Sequence, residues 1–168
     1  MELLDRFFGL PSTSAFVFGP RGSGKSTWLR HSLPDALWLN LLQPEMYLEM
    51  SARPERLRHL VEGSRQRDVV VDEVQRVPEL LNVVHDLMES GEDRRFLLTG
   101  SSARKLRRGG VDLLAGRALN LTMHPFMAAE LPDFRLDRAL EVGMLPLVVG
   151  SSDPIATLHA YATLYLDE

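Results

Sequence analysis

The sequence predicts an α/β chain, a parallel sheet covered by helices on both faces. Three observations carry this expectation. Short apolar runs without polar alternation recur along the chain, as strands buried on both faces require. Segments with a helical period separate them, which calls for right-handed crossovers. A Gly-rich loop, "GPRGSGKST" from Gly19 to Thr27, stands between the first apolar run and the first helical segment.

Each element follows in order. "SAFVF" (Ser14 to Phe18) reads as a buried strand, and Lys25 to about Leu33 as a helix stopped by Pro34. "ALWLNL" (Ala36 to Leu41) is a second strand. Pro44 to Glu62 is helical in two pieces broken near Pro54. "DVVVD" (Asp68 to Asp72) is a third strand, and Pro78 suits the first turn of a helix running to about Ser90. "RFLLTG", ending at Gly100, and "ALNLTM" (Ala118 to Met123) complete five strands. From Pro125 onward the pattern is helical in three stretches, "PFMAAEL", "LDRALEVG" and "DPIATLHAYATLYLDE".

A chain of 168 residues fits one domain, 1–168, with an N-terminal segment 1–13 and a C-terminal helical segment 125–168. The helical period is still running at the last residues, so a truncated larger protein is expected. With 45% apolar and 25% charged residues, the composition is that of an ordinary soluble globular protein. The absence of Cys excludes disulfides and thiolate metal sites and suits a cytoplasmic location. His31, His59, His85, His124 and His159 show no i, i+3 or i, i+4 pairing, which gives helical zinc sites no support.

The net charge of −4 lacks the basic footprint of a non-specific nucleic-acid binder. One local exception is "ARKLRRGG", with Arg104, Lys105, Arg107 and Arg108. It reads as a solvated helix face or as a phosphate, partner or nucleic-acid contact. No secretory signal and no membrane span are expected.

Gly19, Gly24, Lys25 and Ser26 match G-x-x-x-x-G-K-[ST], the Walker A pattern, with a strand before and a helix after. The pattern has physical reasons. Glycines allow positive φ and close backbone approach. Successive N–H groups from about Gly22 to Thr27 form an anion-binding nest at a helix N-terminus. Lys25 supplies a mobile charge for the β- and γ-phosphates, and Ser26 a hydroxyl for Mg²⁺. The expected nucleotide-binding stretch is therefore Gly19, Pro20, Arg21, Gly22, Ser23, Gly24, Lys25, Ser26 and Thr27.

A triphosphate site also needs a metal anchor and, for hydrolysis, a base. "VVVDE" offers both at a strand's carboxyl end, where ligands of parallel sheets sit. Asp72 is the expected Walker B carboxylate on Mg²⁺, directly or through water. Glu73 is the expected base; the alternative reading makes the pair ordinary helix N-terminal acids. A strand-and-helices unit lies between the loop and the acidic strand. This is the order of the P-loop division with an additional strand and a catalytic Glu, a three-layer αβα fold with sheet order 5-1-4-3-2. Thr99 or Ser101, ending the fourth strand, would then reach the γ-phosphate or the water as a sensor, or serve as buried strand-end hydroxyls.

Taken together, "GPRGSGKST", "VVVDEVQRVPELL", "FLLTGSSARKLRR" and "LLAGRALNLTMHPFMAAEL" resemble the AAA-type ATPases of prokaryotes that pair this domain with a C-terminal domain of unknown function. The resemblance runs from about Phe16 to Leu166 and implies ATP and Mg²⁺ as ligands. It implies nucleotide contacts at Gly22, Gly24, Lys25, Ser26 and Thr27, with Asp72 and Glu73 at metal and water. It also implies a role for Arg117 in "LAGRAL": an arginine finger or γ-phosphate sensor in cis, the same in a neighbouring subunit, or a structural cation. Ser26 stands where many relatives carry Thr.

Three functions compete: an ATPase that switches or remodels a protein client, a nucleotide-binding module with little turnover, and a small-molecule kinase. Strand two ends in "NLLQPE", where Asn40 and Glu45 do not make the acid pair a kinase acceptor site favours. Partners implied are the protein's own C-terminal part, a homo-oligomer or an unknown client.

Overall fold

The computed structural model describes residues 4–91, 93–101, 106 and 114–166. The basic residues Arg104, Lys105, Arg107 and Arg108 lie outside the described residues, as does the end of the last expected helix. The described chain divides into two compact units. One holds Leu10–Gly19 and Lys25–Thr122; the other holds Met1–Gly9, Pro20–Gly24 and Met123–Glu168.

The larger unit is built on a five-stranded parallel sheet: β1 (Ala15–Phe18), β2 (Leu37–Asn40), β3 (Asp68–Asp72), β4 (Arg95–Gly100) and β5 (Leu119–Thr122). The strand order is β2-β3-β4-β1-β5, the 5-1-4-3-2 order expected of the P-loop fold. The interior strands β1, β3 and β4 are buried on both faces, which is why their sequences are unbroken apolar runs. The edge strand β5 is largely exposed and accordingly mixes Asn120 and Thr122 with Leu119 and Leu121.

Among its described residues this unit carries the helices α1 (Lys25–Ser32), α2 (Pro44–Ala52), α3 (Arg56–Glu62) and α4 (Leu80–Glu89). The break between α2 and α3 has a local cause. Arg53 precedes Pro54, and the residue before proline is pushed out of helical space; its φ is −145°. Helix α4 buries Leu80, Leu81, Val83, Val84 and Leu87, one face of a 3.6-residue period. Each such side chain contributes about 1.5–3 kcal/mol on leaving water. These residues join one core with Phe16, Leu98 and Leu106, in which the Phe16 and Phe18 rings stack 5.3 Å apart.

The smaller unit contains a 3-10 turn (Ala128–Glu130) and helices α5 (Leu136–Val142), α6 (Pro146–Val149) and α7 (Pro154–Leu166). Met123, Phe126, Val142 and Val148 are buried in it. Two expectations change here. "PFMAAEL" forms only the single 3-10 turn, because Glu130 turns its carboxylate back onto the N–H of Met127 and that of Phe7. The short α6 between Leu145 and Gly150 was not foreseen. No helix among the described residues is long and apolar enough to cross a membrane.

Candidate functional site

Strand register carries the site. Asn40 is level with Asp72, Phe18 with Gly100, and Val71 with Leu98, so the carboxyl ends of β1 to β4 share one edge. In the larger unit this edge gathers Lys25, Ser26, Asp72, Glu73, Thr99 and Ser101.

Asp72 is 2% exposed, and one oxygen, Oδ1, accepts two hydrogen bonds: from Ser26 Oγ at 2.8 Å and from Thr99 Oγ1 at 2.6 Å. Ser26 and Asp72 are 46 residues apart in sequence. Lys25 is 4% exposed and its Nζ donates to Gly19 O at 2.8 Å, so its ammonium lies folded onto the carbonyl at the start of the loop. Thr99 accepts the Glu73 N–H at 2.9 Å while donating to Asp72. Its hydroxyl ties β4 to the end of β3, the bond pattern of a structural strand-end hydroxyl.

Glu73 has φ 63° and ψ 47°, left-handed backbone that a residue with a Cβ rarely adopts. Such a conformation costs on the order of 1–3 kcal/mol and persists only where its surroundings enforce it. The Thr99 bond is one restraint. A second is Arg76, whose Nη1 donates to Leu41 O at 2.8 Å and whose guanidinium lies 4.4 Å over the Tyr47 ring. The Glu73 carboxylate accepts a hydrogen bond from Gln75 Nε2, which also reaches Ser101 Oγ at 3.4 Å. The amide's other end, Oε1, is buried without a partner. A Cβ at Gly100 would stand 2.8 Å from that oxygen, so the strand must end in glycine for Gln75 to lie there.

In the smaller unit lies the middle of the Gly-rich loop, Pro20 to Gly24. Ser23 N donates to Pro20 O at 3.2 Å, closing a turn, and Gly22 O accepts from Leu147 N at 3.3 Å. Gly22 has φ 77°, and a Cβ there would meet Leu147 Cβ at 3.0 Å. Arg21 and Thr27 are exposed, and the Ser23 hydroxyl is buried without a partner. Arg6 donates to Ser23 O at 3.0 Å and to Glu130 Oε1 at 3.2 Å. Burial alone would raise the Glu130 pKa. The N–H groups of Met127 and Phe7 and the Arg6 charge outweigh it and hold the carboxyl below its ordinary 4.5.

Arg117 does not join the sheet-edge cluster. It lies two residues before β5, whose first residue is level with Ala15, Leu97 and Val70, whereas Asp72 lies two residues beyond that level. At ~3.3 Å per residue and ~4.8 Å between strands, their backbones stand on the order of 20 Å apart. Its guanidinium pairs with Glu89 at 2.6 Å, at the C-terminal end of α4. The geometry thus does not bring Arg117 to the Asp72 edge of its own sheet.

The donor set suits Mg²⁺. Two oxygens on adjacent positions of an octahedral Mg²⁺ at about 2.1 Å stand about 3.0 Å apart, and Ser26 Oγ and Asp72 Oδ1 are 2.8 Å apart. Among the described residues no group of three or more His, Asp or Glu could hold a metal. The remaining ligands would come from water and phosphate, as Mg²⁺ favours.

A family model described as "AAA domain" matches residues 12–132, well over half of the chain. The chain belongs to the AAA domain family. As a fold, this AAA chain is similar to the solved Aeropyrum pernix ORC2 protein in its ADPNP–ADP complexes. The identity is 14% and the TM-score 0.50, over 92% of this chain and 56% of that one. The ADP form of the same ORC2 protein gives 16% identity and a TM-score of 0.49 over 92% and 56%. The Aeropyrum pernix ORC1 protein in complex with DNA gives 15% and 0.47 over 95% and 56%. The chain thus spans about half the length of the solved structures it matches. No curated protein matches it.

Sequence reasoning missed Gln75, Arg6 and Glu130. Gln75 carried a weak signal, two residues beyond the acid in "DEVQ" and thus able to reach back over a tight turn. Glu130 entered only as part of the resemblance in "HPFMAAEL", and Arg6 carried no signal, being 124 residues away.

Proposed function

We propose that this chain binds ATP with Mg²⁺ and hydrolyses it, its nucleotide state acting as a switch on a protein client. The client is reached through a homo-oligomer or a further C-terminal part, in the cytoplasm. The observation that carries this reading is the 2.8 Å approach of Ser26 Oγ to Asp72 Oδ1, beside Lys25 at one sheet edge. A hydroxyl and a carboxylate so spaced, next to a buried ammonium, suit a metal–phosphate pair better than either suits a core. Adenine as the base rests on membership of the AAA family.

In this mechanism the N–H groups from about Gly22 to Thr27 hold the polyphosphate, and Lys25 leaves the Gly19 carbonyl to meet its charge. Mg²⁺, when bound, neutralises charge on the phosphate oxygens. Ser26 and Asp72 would hold it. Glu73 accepts a proton from the attacking water at its carboxylate, and Thr99 keeps its backbone turned toward that edge. Ser101 steadies Gln75.

A second reading, binding with little turnover, is favoured by one contact. Gln75 Nε2 occupies the Glu73 carboxylate, so the base is engaged before any water arrives. Steady-state phosphate release with Mg²⁺, measured over a range of protein concentrations, separates the two. Turnover lost in Glu73→Gln with ATP affinity retained supports hydrolysis. Binding without release at every concentration supports the second reading, and absence of ATP binding defeats both.

A further inference from the structure

We propose that Arg6 is a positioning residue of the phosphate loop. By gripping the Ser23 carbonyl it sets the Ser23–Gly24 peptide, and thereby the affinity for a nucleoside polyphosphate. The inference rests on the nucleotide-binding reading above and adds to it a control held by the N-terminal segment.

The Arg6 side chain is only 8% exposed, and its donors reach the two other segments of the smaller unit, Pro20–Gly24 and Met123–Glu168. Nε donates to Glu130 Oε1 at 3.2 Å. Nη1 donates to Ser23 O at 3.0 Å. Nη2 donates to His124 O at 2.6 Å and Pro125 O at 3.4 Å. The guanidinium lies 4.7 Å from the centre of the Phe126 ring. A planar fork that bonds along its edge and stacks on its face is arginine geometry, which lysine's point charge does not reproduce.

Two roles for this cation can be distinguished. A group that meets phosphate must keep donors and charge available. Arg6 commits most of both: four of its N–H donors go to Glu130, Ser23, His124 and Pro125, and its charge is matched by Glu130, itself 1% exposed and fixed by the N–H groups of Phe7 at 2.7 Å and Met127 at 2.8 Å. Its role is therefore geometric. In a trans peptide the N–H points opposite to the carbonyl, and no peptide among the described residues is cis. Holding the Ser23 carbonyl on the Arg6 side turns the Gly24 N–H to the other side. Gly24 needs such a hold, because at φ 88° it has no side chain to fix it. The neighbouring carbonyl, Gly22 O, is held in the same manner by Leu147 N.

The test uses the whole chain as wild type, Arg6→Gln and Arg6→Lys. ATP and ADP are titrated by calorimetry with Mg²⁺, kcat and KM are measured, and Gly24 amide exchange is followed without nucleotide. The proposal expects both variants to lose about tenfold in affinity for ATP and ADP, the scale of one hydrogen bond to a charged group. It expects KM to rise with kcat within about twofold, and Gly24 exchange to quicken about tenfold while core amides keep their protection. Wild-type affinity and Gly24 exchange in a folded Arg6→Gln would overturn it, as would full rescue by Arg6→Lys. Should the wild type bind no nucleotide, the functional reading fails, and Gly24 exchange alone decides for or against Arg6. Should both variants unfold, wild-type guanidinium and Gly24 exchange decide. A shared opening rate supports the grip, and free exchange of the guanidinium beside a protected Gly24 refutes it.

Discussion

Two polar clusters in this molecule are built on opposite terms. At the sheet edge of the larger unit, Asp72 takes two hydroxyl protons, and Glu73 takes an amide while sitting on left-handed backbone. In the smaller unit, Glu130 meets a full positive charge and two N–H groups. Buried charges normally acquire such partners, since an unpaired one costs several kcal/mol. The contrast teaches how to separate a site from a brace: the brace is complete in itself, whereas the sheet edge carries acids bonded by neutral groups that a cation can displace.

The largest expected effect attacks the sheet edge. Lys25→Ala removes the ammonium that the proposed mechanism brings to phosphate, and ATP affinity should fall by about a hundredfold or more. Calorimetric titration checks this, and retained affinity would mean the edge is a second brace. Glu73→Gln keeps the shape of the acid and removes its basicity. Phosphate release should drop ~10²–10⁴-fold while ATP binding persists, and an unchanged rate would remove Glu73 from the chemistry.

Thr99→Val tests stability at the same place. The variant leaves the Glu73 N–H without its acceptor and deprives Asp72 of one donor. Unfolding free energy from urea titration should fall by about 1–3 kcal/mol. Thr99→Ser should restore most of it; failure to do so would place the effect in packing.

How much of this was legible follows from which forces are local. β1, β3 and β4 could be read because burial on both faces leaves unbroken apolar runs. That Lys25, Ser26 and Asp72 share one sheet edge could be expected because each stands at a fixed offset from the carboxyl end of a parallel strand. The left-handed Glu73 could not, since glutamate has no preference for that region; Thr99 and the anchored Arg76 impose it from elsewhere in the chain. The helix expected at "PFMAAEL" failed for a related reason. Its apolar period is real, but Glu130 answers to Phe7, 123 residues away. Periodicity carries no information about a partner at that distance.

The brace makes its own prediction, in acid. The Glu130 carboxyl is held below 4.5 in the folded chain, so the unfolded chain binds its proton more readily. Its stabilising contribution is fully present above that unfolded value and is lost as pH falls through the lower folded one. Urea midpoints from about pH 6 to about pH 3 should therefore decline, with a shallower decline in Glu130→Gln. Equal slopes would show that acid acts elsewhere.

The smallest effect belongs to Arg117, which sorts with neither cluster. Its pair with Glu89 is 2.6 Å long but about half exposed, at 41% and 50%. Solvent screening leaves such pairs little net energy, so Arg117→Ala should change stability by no more than about 0.5 kcal/mol. Activity is the sharper readout. Arg117 stands on the order of 20 Å from Asp72 along its own sheet, so dilute protein should hydrolyse ATP at the same rate with or without it. If wild-type turnover instead climbs with protein concentration and the climb vanishes in Arg117→Ala, the guanidinium is serving a neighbouring copy. Full activity of the variant at every concentration leaves it a surface cation that ties the start of β5 to α4.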